Sequence, residues 1–206
     1  MKLYTSIGPN PRLVRMFLAE KKVELPEVQV DILGGENRRE PYLGLNPAGG
    51  TPLLILETGQ ALAETTAICE YVEELQPHPP LIGATPEARA LTRMWMRRVD
   101  LFIVQPLTNG FRGAEGLGLF KDRVHCLPQA ADDLKATARE GLAWLDKQMA
   151  DGRPFIAGEG ITLADLMLYS FVEFGGLVGQ GLDPVLQHLA AWHQRMAGRP
   201  SAQATA

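Results

Sequence analysis

Two short segments carry the residue types and spacings best suited to chemistry, Gly49-Gly50-Thr51-Pro52 and, a short strand later, Glu64-Thr65-Thr66. An acid followed by small hydroxyl residues, directly before an apolar helical pattern, supplies free backbone N–H groups where a carboxylate can be held. Proline donates no ladder hydrogen bond, so it fits poorly inside a central strand and well at a strand's first residue. Thr51-Pro52 therefore reads as a turn into a strand, with a cis bond open to it. Together the segments suit the backbone and α-carboxylate of a small peptide. Taken singly, a plain proline turn and a plain helix cap would look the same; their spacing after a strand-helix-strand start is what joins them.

The elements that must position these segments come from the hydrophobic periodicity. Leu3 and Tyr4 open a short strand, Leu13, Val14, Phe17 and Leu18 follow a helical stripe, and Val28, Val30 and Ile32 alternate as a strand does. Asn10 before Pro11 reads as the helix start, since asparagine caps orphan N–H groups and proline at the first helical position wastes no donor. Beyond a polar stretch around Gly34 to Glu40, a short helix or loop precedes two strands, Leu53 to Leu56 and Gln60 to Ala63, which flank a Thr58-Gly59 turn as a hairpin would. A helix follows from about Glu64 to Leu75. The order is β-α-β, then β-β-α.

From Gln76 to Pro86 the composition shifts to Pro77, Pro79, Pro80, Gly83 and Pro86, too proline-rich for a helix or a central strand. The domains are accordingly set at residues 1–78 and 89–206, with a linker over 79–88. The second domain is all-α, from Leu91, Met94, Trp95 and Val99 through Leu134 to Met149 and on to a last helix near Trp192. Thr162-Leu163-Ala164-Asp165 has the form of a capping box, with a folding role. The polar tail from Ser201 to Ala206 reads as frayed.

Composition excludes several functions. At 206 residues with 46% apolar content the chain can bury a sizeable core without covalent staples. A net charge of −4 offers no basic stripe for nucleic acid, and no apolar run approaches the length needed to span a bilayer. Cys69 and Cys126 lie far apart with no metal-binding spacing, which points to a reducing, cytoplasmic compartment and to no metal.

The β-α-β-β-α half, the proline linker, the all-α half, Thr51-Pro52, Glu64-Thr65 and the Thr162/Asp165 box together resemble a cytosolic glutathione S-transferase over essentially the full length. The resemblance implies a thioredoxin-like α/β N-terminal domain that binds glutathione, an all-α helical-bundle C-terminal domain, and a homodimer. Carried over residue by residue, Thr51 before Pro52 pairs its backbone with the cysteinyl moiety. Glu64 takes the γ-glutamyl ammonium, Thr65 takes its carboxylate, and Asn37 with Arg38 meets the glycine carboxylate. Gly50 stands where the family often places a lysine or glutamine, so one usual ligand is absent.

The implied reaction starts from the thiolate, which a free thiol of pKa about 8.5 supplies only sparingly at neutral pH. Hydrogen bonds and a helix N-terminus can lower that value. The chain reads Thr5-Ser6-Ile7-Gly8-Pro9-Asn10-Pro11-Arg12, with no cysteine for mixed-disulfide chemistry. Pro9-Asn10 is similar to bacterial Nu-class and related fungal members, in which asparagine lies near the sulfur. Asn10 is therefore the first choice for the sulfur contact, with Ser6 second and Tyr4 third. A small hydrophobic electrophile is expected between the domains, against Ile7, Thr108, Phe111 and Arg112. The readings implied are a glutathione transferase first, then a glutathione-dependent disulfide reductase or peroxidase, then a glutathione-binding regulatory module without turnover.

Overall fold

The structure, a computed structural model, describes residues 1–206. The apolar alternation of the first residues makes β1 (Lys2–Thr5), with Leu3 and Thr5 turned fully inward. A glycine at φ 116°, Gly8, then reverses the chain into α1 (Pro9–Lys21), whose buried face is Leu13, Val14, Met16, Phe17 and Leu18. This helix starts two residues earlier than the Asn10-Pro11 pair suggests. Pro9 occupies the first turn, where its missing N–H costs nothing, and Gly8 takes the capping position with a backbone angle that side-chain-bearing residues avoid. Asn10 is thus a helical residue and no cap, and it is exposed.

The chain returns as β2 (Glu27–Gln29), parallel to β1 with Leu3 opposite Glu27. A 3₁₀ turn (Glu36–Arg38) and the short α2 (Tyr42–Leu45) fill the stretch left open between helix and loop. The hairpin is present as read, β3 (Leu53–Ile55) against β4 (Ala61–Ala63), with Leu54 opposite Leu62 and Gly59 at φ 84° in the turn. β3 also runs antiparallel to β1, giving the sheet order β2-β1-β3-β4. α3 (Thr65–Leu75) buries Ile68, Cys69 and Val72. Burial pushes the Cys69 thiol well above its ordinary range, with Glu73 and Glu70 adding to the shift, so it behaves as a small core hydrophobe.

The remaining helices are α4 (Pro86–Val99), α5 (Gln105–Gly113), α6 (Leu117–Phe120), α7 (Ala131–Gln148), α8 (Leu163–Leu177), α9 (Gln187–Ala197) and α10 (Pro200–Ala204), with one π turn (Asp100–Val104) joining α4 to α5. Gly141 lets the backbone of that π turn approach α7 closely, since a Cβ there would meet the Phe102 carbonyl oxygen at 2.2 Å. The chain divides into two compact units, residues 1–82 with 199–206, and residues 83–198.

This division differs at both ends from the boundaries drawn on composition. Leu81 and Ile82 are buried in the first unit, and their N–H groups donate to the Glu73 carboxylate. Glu73 in turn pairs with the fully buried Lys21, which also donates to the carbonyls of Gln76 at 2.8 Å and Pro79 at 2.5 Å. The proline-rich stretch up to residue 82 is therefore fastened to α1 and α3.

The C-terminal tail is likewise ordered, as α10. Arg199 donates to both oxygens of Glu20 at 2.7 and 2.8 Å, the Ser201 hydroxyl donates to the same carboxylate, and Ser201, Ala202 and Thr205 are buried. Burial alone would raise the Glu20 carboxyl, but the hydrogen bonds from Arg199 and Ser201 and the Arg199 charge hold it below its usual range. A short polar tail frays only if nothing ties it down, and here a half-buried ion pair does.

In the second unit the capping box forms as read. The Asp165 carboxylate, fully buried, accepts from the N–H groups of Thr162 and Ile156 at 2.8 Å, from the Thr162 hydroxyl at 2.9 Å and from the Trp192 indole at 2.9 Å. Burial raises the Asp165 carboxyl while these donors pull it down. One side chain thus starts α8, ties down the Ile156 turn and seats Trp192 of α9. Thr162→Ala should cost about 1 kcal/mol. Asp165→Ala should cost about 3 kcal/mol or more, because it strands several buried donors at once. Urea denaturation of both variants checks the ranking, and equal midpoints would refute it.

Candidate functional site

The first unit carries an open cleft lined by Asn10, Asn46, Gly50, Thr51, Pro52, Ala63, Glu64 and Thr65. Four elements meet there: the first turn of α1, the loop before β3, the end of β4 and the N-terminus of α3. Of the residues expected to act, Asn10, Thr51, Pro52, Glu64 and Thr65 are brought together. The Thr51-Pro52 bond is cis. Thr51 takes no part in the backbone hydrogen bonding of its loop.

Glu64 is the only charged residue among those lining the cleft. It stands at the capping position of α3 with φ 71° and ψ 125°, a region that favours glycine, and its side chain makes no capping bond. The conformation costs on the order of 1 to 3 kcal/mol for a residue with a Cβ and persists only where the surroundings enforce it. Its effect is to present the carboxylate beside the free N–H groups of the first α3 turn without occupying them. Those N–H groups, the Thr65 hydroxyl and the helix dipole favour a carboxylate; the Glu64 carboxylate favours a cation. Juxtaposed, they suit the ammonium and carboxylate of an amino-acid terminus.

The other expected ligands have structural partners. Ser6 is buried, its Oγ 2.6 Å from Thr51 Oγ1 and 3.1 Å from the Ile7 carbonyl oxygen, to which it donates. It ties the end of β1 to the cis-proline loop and does not line the cleft. Asn37 is buried and donates from Nδ2 to the Gly49 carbonyl at 2.6 Å, while Arg38 Nη1 donates to the Ala48 carbonyl at 3.3 Å. Both grip the loop from behind and lie outside the cleft lining. The fit is close, because Gly49 sits at φ 62° and a Cβ there would lie 2.8 Å from the Asn37 carbonyl oxygen and 3.1 Å from Arg38 Nη1. Tyr4 packs edge-on against Tyr42 in the core, ring centroids 6.2 Å apart.

Asn46 is a cleft residue that sequence reasoning missed. Its Oδ1 accepts from the Ala48 N–H at 3.2 Å, and its Nδ2 donates to the Gly50 carbonyl at 2.9 Å. The signal was present, since asparagine before proline and three residues ahead of a Gly-Gly pair is a turn in which the side chain bonds its own backbone.

The residues assigned to the electrophile are placed in both units. Ile7, between β1 and α1, is 62% exposed. Thr108, Phe111 and Arg112 lie on α5, where Phe111 stacks edge-on with Phe120 at 5.9 Å and Phe174 at 4.9 Å and the Arg112 guanidinium lies over Phe120 at 5.3 Å. The aromatic cluster is thus internal to the second unit. No group of three or more His, Cys, Asp and Glu side chains is arranged to hold a metal ion, and no helix is long and apolar enough to cross a membrane.

Comparison with known proteins bears on the family and the fold. Residues 7–75 match the family model of the glutathione S-transferase N-terminal domain, and residues 128–195 that of the C-terminal domain. Glutathione S-transferase 2 of Saccharomyces cerevisiae is 31% identical over 204 residues, covering 96% of this chain and 85% of the relative. A crystal structure of a glutathione S-transferase domain-containing protein from Marinobacter aquaeolei superposes with a TM-score of 0.90 at 33% identity, covering 98% of this chain and all of that one. A glutathione transferase homolog from Sulfitobacter, solved with bound glutathione, has a TM-score of 0.79 at 26% identity over 98% of this chain and 95% of its own.

Because Glu64 carries backbone strain, Glu64→Gly should raise unfolding stability by about 1 kcal/mol, whereas Glu64→Ala, which keeps the Cβ, should not. Equal urea midpoints for the two variants would show that the conformation is not strained.

Proposed function

The chain belongs to the glutathione S-transferase family, and from that membership we propose that it binds glutathione in the first-unit cleft and activates its thiol for attack on an apolar electrophile. The observation that carries the reading is the convergence in one cleft of Thr51, whose own N–H and C=O take no backbone partner, a strained Glu64 and the free N-terminus of α3. Glutathione offers the matching groups: a γ-glutamyl ammonium for Glu64, its carboxylate for Thr65 and the α3 N–H groups, and a cysteinyl backbone for Thr51. A substrate fixed along its backbone in this way has its sulfur placed by binding, and binding energy is used for orientation.

The sulfur contact is assigned to Asn10. Its position in the first turn of α1 places a neutral amide donor and the helix's free N–H groups at one site, and both favour a thiolate over a thiol. An amide N–H can stabilise the anion by hydrogen bonding without carrying a proton away. The thiolate then forms the carbon–sulfur bond and the electrophile's electrons leave with its leaving group or onto its own acceptor atom. Ser6, whose hydroxyl is engaged by Thr51 and Ile7, supports the loop and is not assigned to the sulfur. The aromatic cluster of Phe111, Phe120 and Phe174 on the second unit supports an apolar second substrate.

Two further assignments belong to this reading. Exposed Leu91, Met94, Leu101 and Phe102 on α4 and the π turn after it support a homodimer formed through that face. Two free cysteines, one buried and one half-buried, support a cytoplasmic location.

Calorimetric titration and steady-state kinetics test the assignment together. Thr65→Val should weaken glutathione binding about tenfold, the loss of a hydrogen bond to a charged group. Asn10→Ala should lower turnover more than it lowers glutathione affinity. Unchanged affinity in the first variant, or unchanged turnover in the second, would remove that residue from the site.

A further inference from the structure

The carbonyl of Gly50 receives two side-chain donors, Tyr42 Oη at 2.6 Å and Asn46 Nδ2 at 2.9 Å. Both side chains belong to residues that are almost fully buried, Tyr42 3% and Asn46 6% exposed. Two donors on one loop carbonyl exceed what a turn needs to hold its shape, and the carbonyl in question belongs to the same peptide unit as the Thr51 N–H. That unit is trans, since the cis bond lies one residue later, so its C=O and N–H point in opposite directions on a rigid plane.

We infer that Tyr42 and Asn46 are positioning residues for peptide recognition: by clamping the Gly50 carbonyl from behind, they fix the direction of the Thr51 N–H and leave it as a directed donor to a carbonyl of the bound peptide. The inference rests on the glutathione reading of the cleft, and it adds to that reading a device for aiming the Thr51 N–H. Two physical effects act together. Rotation of the Gly50-Thr51 plane, which Gly49 and Gly50 on its N-terminal side would otherwise leave cheap, would break both bonds at once. Donation to the carbonyl also polarises the amide, making its N–H a better donor to the next acceptor in the chain of hydrogen bonds.

The surroundings are built to keep the clamp in place. Tyr42 packs in the apolar cluster with Val30 and Leu53, with Tyr4 and Ile55 against it. Burial, opposed by a hydrogen bond from Asn46, pushes the Tyr42 phenol up to about 12, so the hydroxyl keeps its proton and remains a donor throughout the working range of pH. Asn46 cannot swing away without also releasing the Ala48 N–H from its Oδ1. Neither side chain needs to touch the ligand's cysteinyl backbone for this role.

The test is Tyr42→Phe in the full chain, which keeps the ring in its apolar cluster and deletes only the donor. Three quantities are measured on it beside the wild type: the glutathione dissociation constant by calorimetry, the pKa of the bound thiol by ultraviolet absorbance, and the Thr51 amide resonance in free and glutathione-bound protein. The clamp predicts a dissociation constant raised about three- to tenfold, the effect of one buried neutral hydrogen bond. It further predicts an unmoved thiol pKa, and a Thr51 amide proton whose downfield shift on binding shrinks in the variant. Asn46→Ala should move the same amide in the same direction, so the outcome does not rest on one variant's folding.

Wild-type affinity and an unaltered Thr51 resonance in folded Tyr42→Phe would overturn the inference while leaving the glutathione site intact. Loss of affinity with a normal Thr51 response would also overturn it, since the loss would then arise elsewhere. A wild-type protein that binds no glutathione would overturn the reading of the cleft and this inference with it, a result distinguishable from the other two.

Discussion

A loop that pairs its backbone with a peptide must keep a peptide group unsatisfied and still hold one conformation. Folding ordinarily fixes a loop by satisfying its backbone, so this requirement runs against the usual source of rigidity. The segment Asn46 to Pro52 meets it by taking its hydrogen bonds from side chains. Asn37 holds the Gly49 carbonyl, Arg38 the Ala48 carbonyl, Tyr42 and Asn46 the Gly50 carbonyl, and Ser6 the Thr51 hydroxyl. Thr51 keeps its own N–H and C=O out of these bonds. Most of the first unit between β2 and β3 is therefore legible as support for one residue.

The same logic extends to the helix on the other side of the cleft. The N-terminus of α3 is useful only if its own capping residue does not consume the free N–H groups, and Glu64, at φ 71°, makes no side-chain capping bond. Stability that the cleft gives up is supplied elsewhere in the unit. Lys21 and Glu73 join the C-terminal ends of α1 and α3 to the residues that lead out of the unit, and Glu20 with Arg199 and Ser201 fastens α10 to α1. A buried pair such as Lys21 with Glu73 is costly to desolvate and is offset only by full hydrogen bonding. Here the ammonium has two carbonyl acceptors and the carboxylate two N–H donors. α1 is thus anchored at its far end while its first turn, with Asn10, is exposed at the cleft.

Much of this was readable from the chain, and the parts that were not have specific causes. Strand and helix order, the Thr58-Gly59 hairpin, the Thr51-Pro52 turn and the Thr162/Asp165 box follow from local patterns that no distant contact overrides. The start of α1 was misread because Asn10-Pro11 and Gly8-Pro9 both make acceptable helix starts, and only the backbone angle at Gly8 distinguishes them. The tail looked frayed because its composition is polar; what orders it is Glu20, far away in sequence. The family resemblance assigns Asn37 and Arg38 to the glycine carboxylate; in the structure Asn37 is buried and both side chains donate to carbonyls of the loop around Gly49. The second role of Asn46 and Tyr42 depends on which carbonyl they reach, information that no spacing rule contains.

Everything assigned to the cleft converges on the state of the sulfur, and the most direct measurement is the ultraviolet titration of the thiolate of glutathione bound to the wild-type protein. A site that positions the peptide and surrounds its sulfur with the Asn10 amide and the α1 N-terminus lowers the bound thiol's pKa well below the free value of about 8.5. A bound thiol that titrates at its free value would contradict the account, leaving a cleft that holds glutathione without activating it.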